Sequence, residues 1–90
     1  MKVSPELMAQ ARELGFNDQL TVEGRKLNVQ TEVTGTSPLK VRTVVMEGGM
    51  VHLAETRMLP EDARDIGELR AVVEAQHKRG ISEILAAKGS

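Results

Sequence analysis

Val41-Arg42-Thr43-Val44-Val45-Met46-Glu47-Gly48-Gly49-Met50-Val51-His52-Leu53-Ala54-Glu55-Thr56 reads as a β-hairpin, and the other elements are arranged around it. Two runs of β-forming residues, Val41 to Glu47 and Met50 to Thr56, flank a Gly-Gly pair. A two-residue type I′ turn needs positive φ at both central positions, and glycine takes it without a Cβ clash. The turn then sets a register. Glu47 pairs with Met50, and Met46/Val51, Val44/Leu53 and Arg42/Glu55 follow on one face. Val45/His52, Thr43/Ala54, Val41/Thr56 and Leu39/Met58 fall on the other, so both faces of the hairpin are partly apolar.

Upstream of the hairpin, Gly35-Thr36-Ser37-Pro38 is turn chemistry, with two hydroxyl residues between glycine and proline. It is preceded by a strand from Arg25 to Thr34, in which Leu27, Val29, Thr31 and Val33 alternate with Asn28, Gln30 and Glu32. A shorter strand, Leu20 to Glu23, leads into it through a tight turn near Gly24. Ser4-Pro5-Glu6 starts a helix: serine at the N-cap, proline at N1 and an acid near the positive end of the dipole. Val3 and Met8 are spaced for a hydrophobic staple, and Leu7, Ala11 and Leu14 share one face. This helix runs about three turns to Gly15 at C′, with Phe16 packing back on it.

Downstream, Pro60-Glu61-Asp62 opens a last helix whose acids lie near its start, with Lys78 and Arg79 further on. Ile66, Leu69, Val73, His77, Gly80, Ile81 and Ile84 stay within one stripe, so the helical phase carries through Gly80. One helix from about 61 to about 87, bent at most at Gly80, is preferred to two helices with a restart at Ser82. Glycine on the buried side lets the helix approach its neighbour closely, and Glu74/Lys78 is a favourable i,i+4 pair. The expected fold is α+β: a short N-terminal helix, an antiparallel meander of three or four strands, and a long C-terminal helix packed on one sheet face.

Ninety residues make one domain. A chain of this size buries only roughly 60–65% of its unfolded surface, so a second copy is a common source of further burial. Phe16 is the only aromatic residue, and aliphatic side chains with five methionines must fill the core. A net charge of −1 supplies no global field toward nucleic acid or an anionic membrane. Without cysteine there is no disulfide, thiolate nucleophile or thiolate metal site. The N-terminus lacks a signal-peptide pattern and no apolar run approaches the ~20 residues of a membrane span, so a cytoplasmic location is expected. Plentiful Arg and Glu beside scarce Asn and Gln suit a heat-adapted source.

The sequence carries no phosphate-binding glycine loop, no H-E-x-x-H, no G-x-S-x-G and no aromatics interleaved with a basic patch. Its two histidines, His52 and His77, lack metal-ligand spacing, so neither a metal nor a cofactor is expected and no catalytic residue is assigned. His77 sits within an apolar stripe as a core or interface residue, with Arg70 at the stripe's edge two turns earlier. The row Asn28, Gln30, Glu32 faces away from Leu27, Val29 and Val33. Beside the apolar residues of the hairpin it makes a mixed surface of the kind found at partly wet interfaces. Gln30, Glu32, His52, Arg70 and His77 are therefore the candidate ligand or interface residues.

Asn28-Val29-Gln30-Thr31-Glu32, Val44-Val45-Met46-Glu47-Gly48-Gly49-Met50-Val51 and Gln76-His77-Lys78 together resemble an uncharacterised group of small bacterial α+β domains. In that group a V-Q-T-E strand, a hairpin with an N-G or G-G turn, and a Q-H-K helix recur in this order. The group tends to carry an aromatic where Met46 stands and lacks a glycine like Gly80 after the histidine. The resemblance covers about residues 26 to 79 and implies the fold without a mechanism. The leading expectation is a non-enzymatic interaction or regulatory module, homodimeric through the uncovered sheet face, the strand edge or the long helix. The alternative is a small-molecule or anion binder, catalytic or not, in which His77, Arg70 and Glu32 converge. A third reading, nucleic-acid binding, needs Arg25, Lys26, Lys40, Arg42 and Arg57 on one face.

Overall fold

Two left-handed turns lay out the sheet. Gly48 and Gly49 have φ of 56° and 86°, as the I′ hairpin requires, while Glu23 and Gly24 at 54° and 80° make the same kind of turn with a non-glycine residue first. The computed structural model describes residues 4–35, 38–60 and 62–89. Its elements are α1 (Pro5–Ala11), β1 (Gly15–Val22), β2 (Arg25–Thr34), β3 (Lys40–Glu47), β4 (Met50–Met58) and α2 (Ile66–Gly89). The four strands form one antiparallel sheet in the order β1-β2-β3-β4. The protein is thus an α+β domain with a short first helix and a long last helix on the sheet.

Several element boundaries depart from the sequence reading. α1 is capped by Ser4, whose Oγ accepts from the Leu7 N–H at 3.2 Å, but it ends at Ala11 rather than at Gly15. Its last turn tightens, with Glu13 and Leu14 donating to the carbonyls three residues back. Gly15 takes no positive φ; it pairs with Glu32 and opens β1, which is therefore twice the length expected from Leu20–Glu23. α2 begins at Ile66 instead of near Glu61, because Asp65 is the stronger cap: its Oδ1 accepts from the Glu68 N–H at 3.0 Å. The Glu68 carboxylate reaches back to the Arg64 N–H at 2.9 Å, a near relative of the capping box. Beyond that start the helix is continuous through Gly80. The staple at Val3, the turn residues Thr36 and Ser37, and Glu61 lie outside the described residues.

The hairpin register also shifts. Glu47↔Met50 and Met46↔Val51 pair as expected, but Val45 then faces Leu53, leaving His52 as the extra residue of a β-bulge. Every later pair moves by one, so Leu53, Glu55 and Arg57 join the helix side of β4, while Ala54, Thr56 and Met58 face away.

α2 packs on β1, β2 and β3, and α1 packs on α2. The core beneath them has two parts. Leu7, Ala11, Leu14, Val33, Leu39, Val41, Leu59, Leu69 and Val73 make the larger. Leu27, Val29, Val45 and Ile84 make the smaller, toward the two hairpin turns. The opposite face of the sheet carries no layer among the described residues.

Candidate functional site

The two halves of the core are divided by one register row of the sheet, Phe16↔Thr31↔Thr43↔Glu55, which crosses all four strands. Threonine occupies inward positions where the neighbours on β2 and β3 are Val29, Val33, Val41 and Val45, so two hydroxyls are carried into an apolar interior. Burying them unpaired costs free energy, and they bond instead. Thr31 Oγ1 and Thr43 Oγ1 lie 2.8 Å apart, His77 Nδ1 lies 2.8 Å from Thr31 Oγ1, and Gln76 Nε2 donates to Thr43 Oγ1 at 3.1 Å. The second imidazole nitrogen, Nε2, stands 2.7 Å from Asp18 Oδ2 on β1. Phe16 stacks on the ring, centroids 5.5 Å apart.

The partner atoms fix the direction of this chain. A carboxylate only accepts, so His77 Nε2 carries its proton toward Asp18. In the neutral ring Nδ1 is then the acceptor, Thr31 donates to it, Thr43 donates to Thr31, and Gln76 donates to Thr43. Gln76 Nε2 also lies 3.2 Å from the Val41 carbonyl and 3.3 Å from that of Glu55. The line thus runs from Asp18 on one edge strand to Glu55 on the other. Asp18, His77 and Thr31 form a carboxylate–imidazole–hydroxyl line like that of nucleophilic hydrolases, but with the two ring nitrogens exchanged: here the carboxylate meets Nε2 and the hydroxyl Nδ1. Thr31 is only 2% exposed and bonded on both sides, so no substrate carbonyl approaches its oxygen in this conformation.

Where this line reaches β4, a groove of about 560 Å³ opens between the strand and α2. Leu59, Pro60, Val72 and Ala75 line it with carbon, Gln76 lies at its base, and Arg57 and Arg79 stand on it from opposite elements. Glu55 Oε1 accepts from Arg57 Nε at 2.6 Å and from Arg79 Nη2 at 3.3 Å, so one carboxylate holds both guanidiniums. Arg79 Nε is enclosed and has no hydrogen-bond partner among the described residues; Glu83 Oε1 is 4.0 Å away, too far for one.

A second ionic cluster joins the two hairpin turns at the surface. The bulge turns His52 toward Glu47, and His52 Nε2 lies 2.8 Å from Glu47 Oε1. Arg25 grips the same carboxylate with Nε and Nη2, the former at 2.7 Å from Oε2. The hydrogen bond from Arg25, then that from His52, holds Glu47 down at about 2, and the Arg25 guanidinium is raised in return.

The sequence-derived candidates separate on the structure. His77 is buried in the polar row and His52 sits in the surface cluster. Arg70 is exposed on α2, and Glu32 and Gln30 are exposed on the open sheet face, where with Gly15, Phe16, Asn17 and Thr31 they border a hollow of about 330 Å³. His77, Arg70 and Glu32 therefore do not converge. Of the basic residues, Lys26, Lys40 and Arg42 belong to the open face while Arg25 and Arg57 belong to the helix side. Asp18, Thr31, Thr43, Gln76 and Arg79 are not among the sequence-derived site residues, and Arg57 is there only as part of a nucleic-acid face. The signal for the threonines was available: a hydroxyl residue at the inward position of two adjacent apolar strands. Arg57 and Arg79 had none, because the bulge alone turns Arg57 to the helix side.

Among the described residues no group of three or more His, Asp or Glu is placed to hold a metal ion, and no helix is long and apolar enough to cross a membrane. No protein-family model matches the chain, and no curated protein or solved structure matches it.

Proposed function

We propose that this domain is a binding module whose ligand is a carboxylate with an apolar body, seated in the groove between β4 and α2. One observation carries the reading: Arg57 and Arg79, from two different elements, are held over an apolar floor by a single shared carboxylate. A guanidinium fork matches a carboxylate in plane and offers five donors, of which Glu55 uses one on each arginine. The floor of Leu59, Pro60, Val72 and Ala75 suits an aliphatic chain, and the groove's volume is within the range that small ligands fill. Gln76 bonds the backbone of β3 and β4 at the base of the groove, which supports its use as a fixed cleft. This keeps the anion-binding reading of the sequence but moves it from His77, Arg70 and Glu32 to Arg57 and Arg79.

Calorimetric titration of the full chain with decanoate tests this directly. Saturable binding is expected, weakened about tenfold in Arg57→Gln and in Arg79→Gln, and equally for decanol, which lacks the charge. Arg42→Gln, on the open sheet face, leaves it unchanged. Absence of saturation below about 1 mM, or a wild-type affinity in Arg79→Gln, overturns the proposal.

A further inference from the structure

β4 is the strand that α2 covers least. It forms an edge of the sheet, and α2 packs mainly over the other three strands, reaching β4 through Gln76 and Arg79. Of the four large apolar side chains exposed among the described residues, Met50, Val51 and Met58 belong to it. Free strand edges are normally blunted by charged side chains, lysine above all, by proline or by a bulge. Here the bulge at His52 ends the flat part of the edge, and the segment beyond it, Ala54-Glu55-Thr56-Arg57-Met58, has neither lysine nor proline; its two charges, Glu55 and Arg57, are of opposite sign and so do not repel a second copy of the same segment.

We infer that this segment pairs antiparallel with the same segment of a second copy, about a two-fold axis midway between Thr56 and its own copy. The choice of register follows from charge. A two-fold axis perpendicular to the sheet keeps the helix sides of both copies on the same side, so the axis must pass midway between one residue of the strand and its own copy. Centred on Glu55, two carboxylates face each other, and centred on Arg57, two guanidiniums do. Centred on Ala54, the pairing must run through the bulge at His52, where the alternation of faces breaks. Centred on Thr56, Glu55 meets the second copy's Arg57 and Arg57 meets its Glu55, both on the helix side, where Glu55 and Arg57 already lie. On the other side Met58 meets Ala54, which covers a methionine that is 68% exposed in the single chain. The sequence of this edge is its own complement in charge. The result is a continuous eight-stranded sheet with a groove on either side of the axis.

This inference stands on the strand edge and does not need the groove to be occupied, so its test leaves Arg57 and Arg79 intact. Sedimentation equilibrium of the full chain between about 1 and 200 µM should give a dimer. Thr56→Lys sets two ammonium groups against each other on the axis. It is expected to raise the dissociation constant at least about tenfold while the circular dichroism spectrum stays unchanged. Because the chain has no cysteine, Thr56→Cys and Gln19→Cys place a single thiol on each edge strand in turn. A short bis-maleimide should cross-link the first covalently and leave the second without a covalent cross-link. A monomer throughout, a dimer indifferent to Thr56→Lys, or equal cross-linking from β1 overturns the inference.

Discussion

At the scale of single residues, Glu47 makes a prediction whose sign is set by its partners. Arg25 and His52 hold its carboxyl at about 2, below the ordinary 4.5, so its stabilising contribution is present above pH 4.5 and is lost as pH falls through about 2. Thermal unfolding followed between pH 5 and 2 should steepen in the wild type and flatten in Glu47→Gln. Glu23 offers a gain instead. It carries a φ of 54° in a turn that suits asparagine, so Glu23→Asn should raise stability by ~0.5–1 kcal/mol in urea titration. Gly80 is set by contact: a Cβ there meets Thr43 Cγ2 at 3.0 Å. Alanine improves helix propensity by ~1 kcal/mol but overpacks by ~1–3 kcal/mol, so Gly80→Ala should destabilise the wild type and stop doing so in Thr43→Ser, which lacks that methyl. The sequence placed Gly80 on the buried side but not its neighbour, since the Gly80–Thr43 contact joins residues far apart in the chain.

At the scale of elements, the polar row fixes how α2 meets the sheet. Thr31→Val removes the donor to His77 Nδ1 and the acceptor for Thr43, and should cost ~1–3 kcal/mol; adding His77→Leu should cost less than the sum, because no buried nitrogen is then left unpaired. Urea midpoints of the two singles and the double measure this. The order of elements, the antiparallel meander and the unbroken phase through Gly80 were all legible, because each rests on local periodicity and glycine geometry. What was not legible is where one local signal beat another. Pro60-Glu61-Asp62 looks like a helix start, yet the Asp65–Glu68 pair caps α2. The bulge at His52 left no mark in the sequence, and it alone moved Glu55 and Arg57 to the helix side, where the groove is built.

At the scale of the molecule, the Cα radius of gyration of 14.2 Å exceeds the ~12 Å of a globular chain this long, because one helical layer covers one face of an extended sheet. The register shift carries Leu53 to the helix side and Met58 to the open face, and the exposed large apolar side chains of the hairpin are all on β4, in Met50, Val51 and Met58. That strand is where a groove with two arginines, a free edge and the end of the buried polar row come together. Amide and side-chain NMR of the labelled full chain, titrated with decanoate, examines that convergence most directly. Shifts confined to Arg57, Leu59, Val72, Ala75, Gln76 and Arg79 are expected. Shifts centred instead on Gly15, Gln30 and Glu32, or spread evenly over the open sheet face, would contradict a site between β4 and α2.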